Sequence, residues 1–218
     1  MTRTTLIEAV RQASTAQELL TAAQALAAAA SPDMEADAIG CLVDLLGYNN
    51  PGAAVAAVDG LIAIGPAAVP PLLEGPDEHN YGARAWAVRA LAGIGDVRGL
   101  ELLESALGND IGPSVRRAAA RGLGQLRWEA LPAGEQEAIR ERALAALERS
   151  LADGEWVVRY AVAVALEGLG LSLAGSALHG RIRTALEGLG DPSGEDTPVV
   201  RQRAQLALQR LPTTEPTP

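Results

Sequence analysis

One short apolar stretch recurs five times along this chain, and this recurrence limits the possible folds more than any other feature. The copies share apolar residues at helical spacing, and their steps are 30, 32, 43 and 42 residues. Another apolar-periodic segment precedes each copy, so each unit is predicted to be a helix A followed by a helix B. Periods of this length with two helices are typical of α-solenoids. The equivalent leucines are Leu61, Leu91, Leu123, Leu166 and Leu208.

The predicted fold is therefore all-α, an α-solenoid of about five HEAT-like helix pairs behind an N-terminal capping pair. The hydrophobic share is 48%, and most of it is Ala and Leu, which suit close-packed helices. We expect a single repeat domain over residues 1–212, with the cap at 1–33 and a flexible tail at 213–218. The helix pairs are predicted at 34–65, 66–95, 96–127, 133–170 and 175–211.

Charge and composition exclude several classes of function. A net charge of −9 disfavours binding to nucleic acid or anionic membranes. All 18 basic residues are Arg, so Schiff-base lysine chemistry is excluded. No apolar run approaches about 18 residues, so no membrane span is expected. The single cysteine, Cys41, should be buried and inert, and the chain should be cytoplasmic. His79 and His179 lack metal-ligand spacing, so we expect no metal.

A second periodicity links acidic and basic residues. An acid in the A–B turn precedes the first Arg of each later B helix by six positions. We expect the acid to pair with that Arg and to cap the helix, forming a polar ladder between neighbouring pairs. The second repeat lacks it, because Tyr48 and Ala54 occupy the two positions. The predicted ladder pairs are Glu78 with Arg84, Asp110 with Arg116, Asp153 with Arg159, and Glu195 with Arg201.

Some residues break the repeat's pattern and are the functional candidates. The chain has three Trp, three Tyr and no Phe, and the positions equivalent to Trp86 are never aromatic in the other repeats. Because B helices line the concave side of such solenoids, these residues are expected to form one aromatic and cationic patch. It suits a flat, carboxylate-bearing ligand or a protein partner, and both remain open. The patch comprises Asp59, Tyr81, Trp86, Arg89, Arg117, Arg121 and Tyr160.

Four strings carry a resemblance to a known family: LGYNNPGAAVAAVDGLIAIG, NYGARAWAVRALAGIGD, SVRRAAARGLGQLRW and DGEWVVRYAVAVALEGLG. They resemble the HEAT-like repeats of phycobilin lyases of the E/F type. The smaller (F, beta) subunit of the phycocyanobilin lyase for the phycocyanin α chain is the most similar. The resemblance covers about residues 34–170, while 171–218 match only as a generic repeat.

The resemblance implies a lyase subunit that attaches an open-chain tetrapyrrole through a thioether to a cysteine of a phycobiliprotein. The bilin, phycocyanobilin by this resemblance, would be the substrate, with no cofactor. The partners would be a larger E-type subunit and the apo-acceptor. For such a reaction we hypothesise carboxylate binding for Arg89, Arg117 and Arg121, ring stacking for Tyr81, Trp86 and Tyr160, and a catalytic role, control of bilin protonation, for Asp59, residues chosen by the repeat comparison.

Two alternatives remain open from the sequence. One is a chaperone-like or degradation-related HEAT-repeat protein that binds phycobiliproteins without catalysing attachment. The other is a plain HEAT scaffold that binds proteins and no pigment. Trp128 is interpreted as either a packing residue or part of a binding rim.

Overall fold

The computed structural model describes residues 2–75, 80–173 and 176–212. This part of the chain contains twelve α-helices and no strand. The helices fall into two compact units, Met1–Gly99 and Leu100–Pro218. The all-α fold class predicted from the sequence is confirmed. The assignment of one domain over 1–212 stays a prediction, and the predicted tail at 213–218 lies outside the described residues.

The first unit holds the predicted cap and the next two helix pairs. The cap consists of α1 and α2, and the pairs are α3 with α4 and α5 with α6. A 3-10 turn leads from α4 into α5, and another closes the unit. The bounds are α1 (Arg3–Gln12), α2 (Ala16–Ala28), α3 (Ala36–Leu45), α4 (Pro51–Ile64), α5 (Val69–Glu74) and α6 (Tyr81–Ile94), with 3-10 turns at Gly65–Ala68 and Val97–Gly99.

The second unit contains three helix pairs in A–B order. Each B helix packs against its own A helix, and α10 also packs against α8 and α12. The B helices therefore form a continuous row within this unit. The bounds are α7 (Leu100–Asn109), α8 (Pro113–Leu123), α9 (Ala133–Arg149), α10 (Trp156–Ser172), α11 (Ala177–Gly190) and α12 (Pro198–Arg210).

The B helices begin at residues suited to helix starts. Oδ1 of Asn50 accepts the backbone N–H of Ala53 at 3.1 Å, and Oδ1 of Asn80 accepts that of Ala83 at 3.0 Å. Each bond satisfies one of the N–H groups that a helix leaves free at its start. Proline, which fits the first helical position, occupies it in the three B helices that do not begin with an aromatic residue. These prolines are Pro51, Pro113 and Pro198.

The core lies between the A and B helices of each unit. Four of the five equivalent leucines are fully or almost fully buried, and Leu208 of the last helix is half-buried. Small residues let two B helices approach closely. A Cβ on Gly124 would overlap the backbone of Ala165, and one on Gly168 would lie 2.6 Å from the carbonyl oxygen of Gly124. The contact between α8 and α10 thus depends on the absence of side chains at these glycines.

One segment is more apolar than the sequence analysis expected. Pro51–Glu74 spans 24 residues, and its most apolar 18-residue window has a mean hydropathy of 1.8, enough by length and composition alone to cross a membrane. Half of its most apolar window is buried inside the protein, as in ordinary core helices. Gly65 also interrupts it with a φ of 74°, a value that favours glycine. We therefore interpret the segment as the core helix α4 followed by a bend into α5.

Candidate ligand-binding site

Two ladder arginines of the second unit, Arg159 and Arg116, each join the carbonyl of one ladder acid to the carboxylate of another. Nη1 of Arg159 donates to the backbone carbonyl of Asp153 at 2.7 Å, while Nε and Nη2 donate to the Glu195 carboxylate at 2.6 and 2.8 Å. The six-residue spacing therefore joins the arginine to the acid's carbonyl oxygen. The carboxylate that it binds belongs to the following helix pair, whereas the sequence analysis had paired the arginine with the carboxylate of its own pair.

Arg116 repeats this arrangement one helix pair earlier. Its Nη1 donates to the carbonyl of Asp110 at 2.9 Å, and Nε and Nη2 donate to Asp153 at 2.7 and 3.0 Å. Arg201, on the last B helix, donates to the carbonyl of Glu195 at 2.8 Å. The acidic side chains also accept a backbone N–H two residues further on, from the residue that precedes the B helix. Those bonds run from Gly112 to Asp110, Glu155 to Asp153 and Thr197 to Glu195.

These contacts shift the pKa values of the acidic and basic side chains in the ladder. The Arg159 hydrogen bonds outweigh the opposing effect of burial and lower the pKa of Glu195 to about 2. Burial alone would raise the pKa of Asp153, but the hydrogen bonds from Arg116 and the Glu155 N–H lower it. The same pairing raises the pKa of Arg159 and Arg116. These groups are fully charged at neutral pH and already satisfied, so they connect helix pairs rather than bind a ligand.

Asparagines take over this connecting role in the first unit. Nδ2 of Asn50 donates to the carbonyl of Ala16 at 2.8 Å, and Nδ2 of Asn80 donates to the carbonyl of Gly47 at 3.1 Å. Each asparagine thus caps its own B helix and reaches back to the preceding pair. The sequence analysis missed these links, although Asn50 and Asn80 stand 30 residues apart at equivalent positions. The predicted partner Glu78 lies outside the described residues.

An aromatic and cationic cluster lies on α6. The guanidinium carbon of Arg89 is 5.5 Å from the ring centroid of Trp86, a cation–π contact. Arg84 lies over the ring of Tyr81 at 5.4 Å. Trp86 is half-buried, whereas Arg89 is exposed, and the described part of the chain records no ion pair for Arg89. A ligand can therefore reach the guanidinium of Arg89, which lies beside the half-buried indole of Trp86. Asp59 is exposed on the neighbouring helix α4.

The second unit supplies the remaining predicted residues. Arg117 and Arg121 are exposed and one helical turn apart on α8, so they share a face. Within the described ranges neither has a carboxylate in ion-pair distance, in contrast to Arg116 on the same helix. Tyr160 is half-buried on α10, which packs against α8. The pair Arg117 and Arg121 is suited to bind carboxylate groups of a ligand.

The predicted patch is thus divided between the two units. Asp59, Tyr81, Trp86 and Arg89 belong to the first unit, and the other members belong to the second. The structure brings Trp86 together with Arg89 and pairs Tyr81 with Arg84. That all members form one surface stays a prediction.

Two further tryptophans differ from each other in their surroundings. Trp128 is 2% exposed, and Arg140 lies over its ring at 5.4 Å, so it is a packing residue. Trp156 is 47% exposed at the first position of α10 and was not among the predicted site residues. The sequence could have identified Trp156 as unusual, because three other repeats have proline at the equivalent position: Pro51, Pro113 and Pro198. Tyr81 is the other exposed aromatic residue at this position.

The other reactive side chains are poorly placed for chemistry. Burial and the nearby Asp44 raise the pKa of the Cys41 thiol, so it supplies little thiolate. His179 is buried, with Nε2 3.2 Å from the carbonyl of Pro212. His79 lies outside the described residues. Among those that are described, no group of three or more His, Cys, Asp or Glu side chains could hold a metal. The half-buried Trp86 and the exposed Arg89 are instead suited to hold and orient a conjugated anion.

The paired helices and their recurring core place the chain among HEAT-repeat proteins, and residues 69–167 match the family described as HEAT repeats. The chain is 54% identical over 164 residues to the phycocyanin alpha phycocyanobilin lyase CpcF of Synechocystis sp., which covers 75% of each chain. It is 47% identical over 208 residues to the phycocyanobilin lyase subunit beta of Thermosynechococcus vestitus, covering 94% of this chain and 93% of the relative. The chain therefore belongs to the family of phycocyanobilin lyase beta subunits.

A solved structure supports the same relationship. The chain superposes with a TM-score of 0.73 and 41% identity on a chain from the complex of CpcE and CpcF of phycocyanin lyase from Nostoc sp. PCC7120. The match covers 79% of this chain and 99% of that one. The helix-pair fold predicted from the repeat is thus shared with a relative solved in complex with a second subunit.

Proposed function

We propose that this chain is the smaller subunit of a bilin lyase and helps to attach a tetrapyrrole to a phycobiliprotein cysteine through a thioether. The acceptor in this proposal is the phycocyanin α chain, and the bilin is phycocyanobilin. A cytoplasmic location and a substrate role for the bilin, with no cofactor, belong to the same proposal. Relatives at 54% and 47% identity are named as such lyases or their beta subunits.

The observation that carries the proposal is the contact between Trp86 and Arg89. The repeat does not require this pair for packing, since small residues or Arg replace Trp86 elsewhere. A conjugated pyrrole ring can stack on an indole, while a guanidinium binds a propionate in bidentate fashion. The exposed Arg117 and Arg121 provide the same chemistry in the second unit. The contact between Trp86 and Arg89 thus suits a conjugated tetrapyrrole that carries carboxylates.

The reaction needs no nucleophile from this chain. The acceptor's thiol adds across the ethylidene double bond of the bilin, so that a C–S bond forms and the thiol proton ends on the bilin carbon. The buried Cys41, with its raised pKa, is consistent with a supporting role. The contribution of the lyase would be orientation of the two reactants, which alone accelerates bimolecular reactions greatly. Asp59 is our candidate for controlling bilin protonation.

A heterodimer completes the proposed enzyme. The Nostoc relative was solved as a complex of CpcE and CpcF. The match covers 99% of the length of one chain of that complex. We therefore propose that a larger E-type HEAT-repeat chain is the partner. The bilin would then be shared between the two subunits or held by this one while the acceptor binds.

The test is co-expression of this chain with an E-type partner, a phycocyanobilin supply and the apo-phycocyanin α chain. The readout is bilin fluorescence that stays with the α chain on a denaturing gel. We expect covalent colour only when both lyase chains are present. Trp86→Ala and Arg89→Gln should lower it at least tenfold with little loss of helicity, since about 1.4 kcal/mol of lost orientation gives a factor of ten. Arg11→Gln, an exposed arginine on α1, is the matched control.

The outcomes separate the alternatives. Normal attachment by both variants would show that the site assignment is wrong. A soluble complex with the α chain, without covalently attached bilin, would favour the chaperone-like function. If neither the complex nor attached bilin is observed, the hypothesis of a HEAT scaffold that binds other proteins is favoured.

A further inference from the structure

A second site is suggested by a groove that lies entirely in the second unit. It is open to solvent and has a volume of about 1250 Å³. Its walls are the end of α9 and one face of α11, and the loops leading into α10 and α12 close its ends. On α11 the wall is formed by Gly180, Thr184 and Gly188, which are four residues apart and share one face. A Cβ on either glycine would meet no atom within 4 Å, so the width of the groove depends on small residues.

An exposed tryptophan stands at the edge of this groove. Trp156 lines it and is 47% exposed, although the equivalent position is proline in three other repeats. The helix start therefore does not require an aromatic residue. No hydrogen bond of its indole is recorded in the described part of the chain. Exposed Trp side chains beside concave surfaces are common anchors for binding partners.

The charges of the groove favour a cation. Its two arginines are already saturated: Arg159 binds Glu195, and Arg181 binds both Glu148 and Glu141, at 2.5 to 3.0 Å. Asp196, in contrast, has a side chain that is 95% exposed: its Oδ1 accepts the Thr197 hydroxyl at 3.0 Å and lies 3.6 Å from Nη2 of Arg159, while the described residues record no partner for Oδ2. Carboxylates outnumber guanidinium groups in the lining. This groove thus disfavours the carboxylates of a tetrapyrrole and attracts positive charge.

We propose that this groove binds an extended segment of a partner protein that carries Arg or Lys. One cationic side chain lies over the indole of Trp156 and beside the carboxylate of Asp196. The glycine face of α11 accommodates the backbone of the segment. Cation–π contact and charge pairing together select a basic segment over an acidic or neutral one. This inference does not rest on the proposed lyase function.

The test uses the purified full chain and a short fluorescent peptide of Arg and Lys residues spaced by Gly, measured by anisotropy at physiological ionic strength. We expect binding of this peptide and none of a matched Glu peptide. Trp156→Ala should weaken binding about tenfold, because anchor aromatics commonly contribute that much. Asp196→Asn should weaken it about threefold, as expected for an exposed charge pair. Gly188→Leu should block the groove and weaken binding at least tenfold.

Two controls address folding and non-specific attraction. Gly134→Leu places the same side chain on α9 outside the groove, where a Cβ also meets nothing within 4 Å. Glu8→Gln removes an exposed carboxylate from the first unit. Both variants should bind the basic peptide as the unaltered chain does, with unchanged helicity. The proposal is overturned if Trp156→Ala binds normally, or if Glu8→Gln weakens binding as much as Asp196→Asn. Preferential capture of the Glu peptide or of free phycocyanobilin at Trp156 would overturn it too.

Discussion

Arg159 and Glu195, which are 36 residues apart in the sequence, form a bidentate ion pair with N–O distances of 2.6 and 2.8 Å. The same arginine holds the backbone carbonyl of Asp153, so one side chain joins three segments of the last two helix pairs. Arg116 does the same one pair earlier. The consequence is that loss of one ladder residue should loosen two neighbouring pairs together.

The pH dependence of this ion pair gives the first prediction. The pKa of Glu195 is about 2 in the folded chain, below the ordinary value of 4.5, so its stabilisation is complete above about pH 4.5 and lost as the pH falls toward 2. Glu195→Gln should lower the free energy of unfolding at pH 7 by on the order of 3 kcal/mol. Urea denaturation of the unaltered protein and of the variant at several pH values should show that the difference in their unfolding free energies shrinks below pH 4.5.

The matched control is Glu187→Gln, an exposed glutamate on α11. It should change the stability by less than about 0.5 kcal/mol at every pH. If the loss of unfolding free energy caused by Glu195→Gln stays constant from pH 7 to pH 3, the stabilisation does not come from the ionised Glu195 carboxylate.

The arginines of α8 give the second prediction, because they separate structure from function on one helix. Arg116→Met leaves the carboxylate of Asp153, whose side chain is 10% exposed, without its partner and should cost about 2 to 3 kcal/mol of unfolding free energy. Arg121→Met removes an exposed side chain that has no ion pair in the described residues and should leave stability within about 0.5 kcal/mol. Chemical denaturation checks both values. In the co-expression assay, only Arg121→Met should reduce attachment while the chain remains fully folded.

The helix pairs could be predicted from the sequence because their signal is local. Apolar residues at helical spacing recur with Gly or Pro between them, and the helices begin within a few residues of the predicted positions. The chemistry of the ladder could not be predicted so well. A spacing of six residues brings an acid close to an arginine, but it does not reveal whether a carboxylate or a carbonyl oxygen accepts the hydrogen bond. Only the fold shows that the carboxylate binds the arginine of the preceding pair.

The candidate site shows a similar limit. The repeat comparison found Trp86 and Arg89, and they do lie in contact. Trp128 could not be assigned from sequence, because its burial under Arg140 depends on how the next helix, α9, folds back onto it. Trp156 was missed because the repeats were compared at positions within the B helices and not at the first helical position, where proline stands in three of the five.

Asn50 gives the third prediction. Its side chain caps α4 and also holds the carbonyl of Ala16, so Asn50→Ala removes two hydrogen bonds at once. We expect a loss of about 1 to 2 kcal/mol of unfolding free energy, from the cap and the link to the preceding helix pair. The adjacent Asn49→Ala, for which the described residues record no side-chain bond, should cost less than about 0.5 kcal/mol. Thermal unfolding followed by circular dichroism compares them, and equal losses would show that the cap and link contribute nothing measurable.

The last prediction concerns the close contact between α8 and α10. Because a Cβ on Gly124 would overlap the backbone of Ala165, Gly124→Ala must push the two helices apart. The φ of Gly124 is −77°, a value that any residue adopts, so the cost comes from crowding and not from backbone strain. We expect a loss of about 1 to 3 kcal/mol, the usual range for overpacking. Gly134→Ala, where the added Cβ meets nothing within 4 Å, should be neutral or slightly stabilising, because alanine favours the helix. Calorimetric melting of the two variants distinguishes these effects, and an unchanged melting temperature for Gly124→Ala would mean that the helices of this unit pack less closely than the structure indicates.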